Sequence, residues 1–402
     1  MINRSSRDGR IVIVTRGVRA FVDGLVYVVL PGFLLYLGFS GVQIGAVITA
    51  SMLGSAGLTI LVGFSGHRAS PARLLVLSSL MMIGTGIAFG LNTSLLALII
   101  IGAIGTMNPS AGDVSVFLPL EQSTLAACVT DADRTAMFAT YNLVGSLVGA
   151  FGALFAGIPL WIASRTSHTQ LFAHRVTFAL YALAGVVVLF LYARMSPSSR
   201  LMGIKGESAL GHSRKIVLKL AALFSLDSFG GGFATQAIFA LWVFRRFDIS
   251  SGMLGLIFFA TGMLSAFSSL LAVRISNRIG LVRTMVYTHI PASILLIGVV
   301  FMPNVWLAMT LFIIRGLLSQ MDVPVRTSYV MAVVTPRERA AAASVTNVPR
   351  SLASALPPIA AGWMLDQSNF AWPLLVCATL KIIYDLLLLW QFRHIRPPEE
   401  SN

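Results

Sequence analysis

Charged residues are scarce in this sequence. Of 402 residues, 11% are Asp, Glu, Lys or Arg, whereas 56% are hydrophobic. A soluble domain usually carries roughly 25% charged residues. The apolar residues run in blocks of about twenty, the length that a helix needs to cross the hydrocarbon core of a bilayer. Strict alternation of polar and apolar residues, which would indicate a β-barrel, is missing. The composition therefore excludes a soluble domain and predicts an all-α integral membrane protein.

Residues that bind metals or form covalent links are also few. The two cysteines, Cys128 and Cys377, lie far apart in the sequence, which argues against a disulfide or a thiolate metal site. Six histidines are scattered without ligand spacing. No phosphate-binding loop, nucleophile elbow or zinc motif occurs. We therefore predict no metal, no cofactor and no enzymatic activity.

Acidic residues are the minority among the charges, with 15 against 29 basic residues and a net charge of +14. The basic residues fall in short segments between the apolar blocks, and they alternate between the two ends of successive blocks. This is the positive-inside bias of membrane proteins, and we prefer it to nucleic-acid binding. It predicts a multi-pass protein of the cell (inner) membrane in contact with the lipid bilayer. Both termini are expected in the cytoplasm and Arg165 and Arg245 outside.

Twelve spans are predicted. They cover residues 18–38, 43–64, 72–91, 95–128, 136–161, 173–194, 216–243, 252–273, 283–302, 305–333, 340–364 and 371–392. The longest polar stretch, 195–213, is rich in glycine, serine and proline. We expect an N-terminal six-helix bundle over 1–194, a cytoplasmic linker over 195–214 and a C-terminal six-helix bundle over 215–402.

The two halves repeat each other in register. Asp23 of span 1 aligns with Asp227 of span 7, and Asn142 of span 5 aligns with Asn347 of span 11. Further matches keep the order: Ser40 with Ser250, Gly45 with Gly255, Arg68 with Arg278, Arg73 with Arg283, Pro119 with Pro324, Ser123 with Ser328 and Gly157 with Gly362. The matched residues lie roughly 205–210 positions apart. This spacing is too long for a solenoid repeat, and it indicates the parallel duplication of a six-span unit found in transporters.

The loop after span 2 resembles the signature of the major facilitator superfamily, G-x-x-x-D-R-x-G-R-R. Residues Gly63 and Arg68 match, and Arg73 stands one place beyond the last basic position. The acidic position is His67 here. The equivalent loop of the second half carries Arg278, Gly280 and Arg283 and is closer to the pattern. In that family the loop contributes a cytoplasmic charge latch, so these six matching positions are candidates for a conformational loop.

The resemblance covers nearly the whole chain and implies a fold. In this family two six-helix bundles face each other around a cavity lined by helices 1, 4, 7 and 10, and they rock to give alternating access. We expect a monomer. Exporters of the family often carry a Gly-Pro motif in helix 5. Gly145, Gly149 and Gly152 are present without the proline, so the motif does not establish export. The glycines still favour close helix approach.

Carboxylates at membrane depth are the first functional candidates, because a buried charge in a bilayer is costly. Asp23, Asp227, Asp113 and Asp322 could take up a coupling proton, since burial disfavours the charged form of an acid. The alternative for Asp23 and Asp227 is a structural carboxylate that pairs with Arg19 or Lys219 on its own helix.

Spans 4 and 10 carry a second set of candidates for a gate or for solute contacts. Glu121 and Arg326 occupy equivalent places in the repeat, and a pair between them could close the cytoplasmic side. The alternative is a static pair or two separate residues in a wet cavity. The remaining candidates for solute or gate contacts are Gln122, Arg315, Asn142, Asn347 and Arg350. Lys381 and Asp385, one turn apart in span 12, are predicted to form a structural pair.

Span 4 is longer than its counterpart in the repeat. The extra residues fall within 107–113, where Asn108-Pro109 and Gly112-Asp113 are helix breakers. We predict an interrupted helix at membrane depth, which survives where the backbone lines a cavity or is buried in protein. The alternative is a loop displaced to the outer surface.

The resulting functional hypothesis is a secondary transporter of a small solute that is coupled to protons. Aromatic residues expected at the cavity favour efflux of an amphipathic compound: Phe117, Phe229, Phe233, Phe239 and Trp242. Uptake of a nutrient or organic anion is the close alternative, with Arg315, Arg326 and Arg350 as anion contacts. A non-transporting receptor or scaffold is a remote alternative, and a membrane-embedded enzyme would need a catalytic cluster that the sequence lacks.

Overall fold

The computed structural model describes residues 7–65, 70–110, 115–129, 131–195, 211, 213–335 and 338–392. These residues form seventeen helices. Their bounds are α1 Arg7–Tyr36, α2 Gly41–Ser65, α3 Pro71–Leu91, α4 Leu95–Ile104, α5 Phe117–Cys128, α6 Asp131–Phe155, α7 Ile158–Arg165, α8 Gln170–Ala193, α9 Arg214–Gly232, α10 Gln236–Phe247, α11 Ser251–Ile279, α12 Leu281–Phe301, α13 Val305–Gly316, α14 Asp322–Ala332, α15 Arg339–Ala355, α16 Pro357–Gln367 and α17 Trp372–Phe392. The all-α fold class predicted from composition is confirmed.

Within the described ranges, nine helical segments are long and apolar enough to cross a membrane. They correspond to predicted spans 1–3, 5–9 and 12. The other three predicted spans are each divided into two shorter helices: α4 with α5, α13 with α14, and α15 with α16. Together the segments account for the twelve spans.

The predicted interruption of span 4 is confirmed. Helix α4 ends at Ile104, α5 begins at Phe117, and residues 105–110 are buried. Burial excludes the alternative of a loop displaced to the outer surface. Thr106 donates its backbone N–H to Thr85 Oγ1 at 3.3 Å, so part of the freed backbone is satisfied by span 3. Membrane proteins tolerate irregular backbone only under such cover.

Span 10 is also interrupted, which the sequence analysis missed. Helix α13 ends at Gly316 and α14 begins at Asp322. Span 8 supplies the hydrogen bonds that the break requires: Ser265 Oγ donates to the carbonyl of Gly316 at 3.0 Å, and Ser268 Oγ donates to that of Leu317. Both halves therefore have a broken fourth span.

The glycines of span 5 bring two helices into backbone contact. A Cβ atom at Gly152 would lie 1.9 Å from the carbonyl oxygen of Phe21, and one at Gly24 would lie 2.1 Å from that of Gly149. No side chain fits at these distances. The prediction that these glycines permit close helix approach is confirmed.

The two halves meet at one end, which we call the outer side because it holds the start of α2 and the predicted extracytoplasmic loops. A Cβ at Gly45 would lie 2.3 Å from the Pro358 carbonyl oxygen, and one at Gly157 would lie 2.4 Å from Gly252 Cα. Ile359 donates its N–H to Thr49 Oγ1 at 3.2 Å across the same interface. These contacts close the outer side in this structure.

An ionic contact adds to this closure. Asp366 Oδ1 accepts hydrogen bonds from the N–H of Gly41 at 2.6 Å and from Arg245 Nη1 at 2.8 Å, and its Oδ2 accepts from the N–H of Val42 at 2.8 Å. Asp366 and Arg245 belong to the second half, whereas Gly41 and Val42 begin α2 of the first. A carboxylate at a helix N-terminus is stabilised by the helix dipole. We call these four residues the outer latch.

Candidate functional site

The first half holds a buried charge network centred on Glu121 of α5, which is fully buried. Arg19 of α1 forms an ion pair with Glu121 Oε2. Tyr141 OH donates to Oε2 at 2.6 Å, Thr15 Oγ1 to Oε1 at 3.4 Å, and Tyr192 OH also to Oε1. One carboxylate thus accepts from four donors, which is what makes a buried charge tolerable. We call these five residues the first network.

Asp23 is not part of this pair. It lies one turn after Arg19 on α1 and is half-buried. Arg19 turns to Glu121 instead, so the predicted alternative of an Arg19–Asp23 pair is wrong. Within the described residues, Asp23 forms no ion pair. A proton-coupling role for Asp23 stays a prediction.

The second half holds a network centred on Asp227 of α9. Lys381 Nζ of α17 lies 2.7 Å from Asp227 Oδ1, and Arg326 Nη1 of α14 lies 3.1 Å from Oδ2. Arg326 also lies 3.4 Å from Asp322, one turn earlier on α14. His289 Nε2 of α12 is 3.9 Å from Asp227 Oδ1. Asp227, Asp322 and Arg326 are all buried.

Asp385 extends this network through its contact with His289. His289 Nδ1 lies 3.0 Å from Asp385 Oδ2, and Asp385 is fully buried on α17. Lys381 Nζ is 3.4 Å from His289 Nε2. We call the set of Asp227, Asp322, Arg326, Lys381, His289 and Asp385 the second network. It joins spans 7, 9, 10 and 12.

The predicted pair between Glu121 and Arg326 is not formed in this structure. Each residue is held in the network of its own half, Glu121 by Arg19 and Arg326 by two aspartates. To reach Arg326, Glu121 would have to give up four donors. The repeat-equivalent positions thus carry opposite charges because each pairs with the first span of its own half.

Two other predicted pairs are wrong. Lys219 is exposed and does not hold Asp227. Lys381 and Asp385 do not pair with each other: Lys381 contacts Asp227, and Asp385 contacts His289. Spacing along one helix suggested both pairs, whereas the stronger partners come from neighbouring helices. His289 was set aside for want of ligand spacing, although its place within an apolar span was a usable signal.

The other solute candidates lie outside the two networks, and two of them line a small cavity within the second half. Asn347 and Arg350 of α15 line a small cavity of about 40 Å³ together with Arg326. Arg350 Nε donates to Ser228 Oγ at 2.8 Å. Arg315 stands at the end of α13, just before the break in span 10, with its guanidinium 5.8 Å from the Phe312 ring. Asn142 is exposed and Gln122 is half-buried, and Asp113 lies outside the described residues.

The aromatic residues expected to line the cavity are mostly buried in helix packing. Phe117 lies under the Arg19 guanidinium at 4.2 Å, and Phe239 stacks on Phe312 at 3.9 Å. Phe233 and Trp242 are also buried, and Phe229 is half-buried. The expectation of an aromatic cavity wall is therefore wrong for four of the five. Phe239 instead joins Phe258, which contacts Tyr27 of the first half at 5.3 Å.

The predicted conformational loops differ between the halves. In the second half, Gly280 joins α11 to α12 with φ of 88°, a conformation that favours glycine. Arg278 and Arg283 flank it and are exposed. In the first half Arg73 is exposed, the backbone of Gly63 is helical within α2, and Arg68 lies outside the described residues. The charge latch implied by the resemblance stays a prediction.

The chain is similar to known proteins both in sequence and in fold. Residues 220–402 match the family model described as Major Facilitator Superfamily. An uncharacterized membrane protein of Saccharomyces cerevisiae is 24% identical over 96% of this chain and 94% of its own length.

Solved structures of transporters match the fold. The inward open xylose transporter of E. coli has a TM-score of 0.73 at 13% identity, covering 97% of both chains. A nucleoside transporter has a TM-score of 0.71 at 14% identity, covering 95% of this chain and 100% of the other. A bacterial homologue of the human lysosomal transporter Spinster, inward-facing and occupied, has a TM-score of 0.72 at 15% identity, covering 94% of both. The chain thus shares the fold of these transporters over nearly its whole length, and residues 220–402 match the Major Facilitator Superfamily model in sequence.

Proposed function

We propose that this protein is a secondary active transporter that moves a small solute by alternating access and that protons drive it through the second network. The matching structures support the coarser part, a secondary transporter in a membrane. One of them is a D-xylose-proton symporter, with a TM-score of 0.73 at 13% identity. The finer part, proton coupling, rests on the residues of this chain.

The observation that carries proton coupling is the charge balance of the second network. Its ion pairs join two carboxylates, Asp227 and Asp322, to two permanent cations, Arg326 and Lys381, and a third carboxylate, Asp385, pairs only with the histidine, His289, among the described residues. The histidine is the remaining member. With a neutral histidine the contacts hold one negative charge in excess, and one added proton balances it. Unbalanced charge is costly in a buried site, so proton binding is favoured there.

The first network holds no excess charge that a bound proton could balance. Its ion pair joins one carboxylate to one guanidinium, and the remaining partners are hydroxyl groups. Tyrosine and threonine hydroxyls do not gain or lose protons near neutral pH. We therefore assign proton coupling to the second half and a positioning role to the first.

For the solute, the residues support a polar or anionic compound better than an amphipathic one. The aromatic residues that favoured amphipathic efflux lie mostly within helix packing. Arg350 and Asn347 line the small cavity beside Arg326 and supply hydrogen-bond donors suited to a carboxylate or phosphate group. We favour proton-coupled transport of such a solute, and efflux of an amphipathic compound is the second candidate.

The test is transport by the purified protein in proteoliposomes. The panel contains organic anions, pentoses, nucleosides and amphipathic cations, each with and without an imposed pH gradient of either direction. We expect accumulation of one solute class that follows the pH gradient. Solute binding without movement in either direction would instead identify a receptor. Movement that ignores the pH gradient would contradict proton coupling.

Variants separate the roles of the residues. Asp227→Asn should abolish gradient-driven accumulation but retain solute exchange, because exchange needs no net proton movement. Asp248→Asn is the matched control, since Asp248 is exposed in an αL position that asparagine also adopts readily. Arg350→Gln should weaken transport of an anionic solute more than Arg350→Lys does. Equal effects of the two substitutions would argue against a charge contact.

A further inference from the structure

The hydrogen bonds of the second network fix which nitrogen of His289 carries the proton. A lysine ammonium group has only donors. Lys381 Nζ lies 3.4 Å from His289 Nε2, so this nitrogen accepts and carries no hydrogen in the neutral ring. The hydrogen therefore sits on Nδ1, which lies 3.2 Å from Asp385 Oδ1 and 3.0 Å from Oδ2. Asp385 holds the ring in this tautomer.

A lone pair on Nε2 is the vacant place for a proton in this cluster. It lies 3.9 Å from Asp227 Oδ1, the oxygen that Lys381 now contacts at 2.7 Å. We propose that His289, oriented by Asp385, takes up the coupling proton on Nε2 and that its uptake displaces Lys381 from Asp227. This inference rests on the proposed function and names the proton acceptor within it. His289 and Asp385 lie on spans 9 and 12, outside the four spans expected to line the cavity.

The displacement follows from the approach of two cationic donors to Asp227 Oδ1, not from the net charge of the network, which a proton balances while Lys381 stays. A proton from water adds to the Nε2 lone pair, and the ring becomes an imidazolium ion with two donors. The hydrogen bond from Lys381 to Nε2 is then lost, because two cationic donors face each other. Asp227 keeps Arg326 at 3.1 Å and gains the new N–H of His289. Lys381 is the most accessible member, with 13% of its side chain exposed, so it has a route out of the network.

Among the surrounding groups that the structure describes, Asp385 is the other proton acceptor, since it is fully buried and pairs only with His289, and the ¹⁵N measurement below separates it from His289. Packed against α12, the second half presents Asp227, Asp322, Arg315, Arg326, Cys377, Lys381, Tyr384 and Asp385. Arg315, Arg326 and Lys381 are cations that repel a proton. Asp227 already accepts from two cations, and Asp322 lies beside Arg326. Tyr384 stands edge-on to the His289 ring at 6.1 Å. His289 is the member whose ring-nitrogen lone pair, now accepting only the 3.4 Å contact from Lys381, faces a carboxylate.

Displacement of Lys381 would act on the part of span 7 that changes direction. Lys381 ties Asp227 of α9 to α17, and α9 ends only five residues later at Gly232. The backbone of Gly232 is in contact with span 11, since a Cβ there would lie 2.5 Å from the Ser354 carbonyl oxygen. Release of the Lys381 contact would thus loosen α9 from α17 where spans 7 and 11 meet. A proton bound behind the cavity would in this way alter the packing of a cavity-lining span.

The experiment compares His289→Gln with His174→Gln in proteoliposomes that hold the transported solute. His174 is the matched control, a histidine equally buried on span 6 of the first half. At one proton per solute, a gradient of about one pH unit sustains up to about tenfold accumulation. We expect His289→Gln to lose this accumulation and keep solute exchange, and His174→Gln to keep both. Accumulation by His289→Gln at the wild-type level would overturn the proposal.

Two further measurements keep the result interpretable if His289→Gln does not fold. Asp385→Asn removes the carboxylate that favours the imidazolium, so the pH midpoint of transport should move to lower pH, whereas a merely structural role would lower the rate at every pH. In the wild-type protein, ¹⁵N NMR of labelled histidine should show one residue protonated on Nδ1 that gains a proton on Nε2 as the pH falls. An Nε2-protonated tautomer at high pH would overturn the proposal. If wild-type transport ignores the pH gradient, the proposed function fails first, and the two failures are thereby distinguished.

Discussion

Each half of this protein has a buried ion pair between its first and fourth spans, and the positive and negative residues have exchanged places between the halves. In the first half, a guanidinium on span 1 pairs with a carboxylate on span 4; in the second, a carboxylate on span 7 pairs with a guanidinium on span 10. Glu121 and Arg326 are the repeat-equivalent residues. The duplicated bundle has therefore kept an ion pair between its first and fourth spans while the charges were exchanged. The position in the fourth span was kept, whereas the partner in span 1 is Arg19 and not Asp23, the residue that aligns with Asp227.

The surroundings of the two pairs differ more than the pairs themselves. Glu121 is enclosed by hydroxyl groups of Thr15, Tyr141 and Tyr192, which supply donors without charge. Asp227 is enclosed by Lys381, Arg326 and His289, which supply two cations and an imidazole ring. Uncharged donors around an ion pair do not compete with either charge, so the pair is static. Charged groups around an ion pair compete for its members, so the partners can be exchanged. We infer that the two bundles have divided structural support and coupling between them.

The largest predicted difference between the two networks is in the free energy of unfolding. Glu121→Ala leaves Arg19 buried without a carboxylate in contact, and removal of one partner of a buried ion pair costs about 3–5 kcal/mol. Asp227→Ala should cost less, because Arg326 keeps Asp322 at 3.4 Å. The free energy of unfolding in detergent micelles measures both. A larger loss for Asp227→Ala would break the comparison.

Charge exchange should succeed within a half and fail between halves. The double variant Arg19→Glu with Glu121→Arg should recover part of the stability that each single variant loses, since residues in contact have coupling energies of about 0.5–3 kcal/mol. The double variant Glu121→Arg with Arg326→Glu should be no more stable than the sum of its single changes. Double-mutant cycles of unfolding free energy give both coupling terms. Recovery between the halves would restore the gate that pairs Glu121 with Arg326.

The outer latch should affect the equilibrium between states rather than folding. Asp366→Asn removes a charge that accepts from two backbone N–H groups and Arg245 across the closed outer side. Allowing for solvent screening, we expect about 1 kcal/mol, or roughly a fivefold shift toward outer opening. Spin labels on the exposed residues Ser167 and Asn369, one in each half, report the distance across this side. Asp248→Asn is again the control, and an unchanged distance distribution would rule the latch out.

The pH dependence of the outer latch has a defined sign. Partial burial acts to raise the pKa of the Asp366 carboxyl, but hydrogen bonds from Val42, Arg245 and Gly41 outweigh it, so the pKa is lowered. A lowered pKa means that the latch is complete above the ordinary Asp value of about 3.9 and is lost as the outer pH falls through the lowered value. Between about pH 5 and 8 the label distances should therefore not change. A change within that window would assign the pH response to another group.

Much of the fold followed from the sequence, because bilayer thickness and the twofold repeat leave few arrangements open. The broken span 4 was predictable since Asn108-Pro109 cannot continue a helix. The break in span 10 was not, because the residues over it, Leu317 to Met321, carry no breaker, and the hydrogen bonds come from Ser265 and Ser268 of another helix.

For the candidate site, the sequence identified members but not partners. Asp227, Asp322, Glu121 and Arg326 stood out as charges at membrane depth. Their partners depend on which helices are neighbours: Asp227 meets Lys381 154 positions away, and Glu121 meets Tyr192 71 positions away. The spacing along one helix suggested Lys219 as the partner of Asp227 and Asp385 as the partner of Lys381. It is the only distance between residues that can be read directly from a sequence. Helix neighbours can be chosen only once the bundle is built.

The most local predicted effects concern the two loops that follow spans 2 and 8. The first loop ends in Ser70, whose Oγ accepts from the N–H of Arg73 at 3.4 Å and caps α3, with Pro71 in the first helical position. The second consists of Gly280 alone, at φ of 88°. Equivalent loops thus start their helices in different ways, by a side-chain cap in one half and by a glycine joint in the other.

In each loop, one substitution removes the feature that starts the following helix. Ser70→Ala loses the cap and should cost about 1 kcal/mol. Gly280→Ala must place a Cβ atom in a left-handed conformation and should cost about 1–2 kcal/mol. Gly57→Ala is the matched control, because it lies within α2 with no neighbouring atom within 4 Å of the added Cβ, and alanine is the better helix former there. The unfolding free energy should fall for Gly280→Ala and be unchanged or higher for Gly57→Ala. If both fall equally, the joint at Gly280 has no special conformational demand, and the two loops are more alike than their backbones indicate.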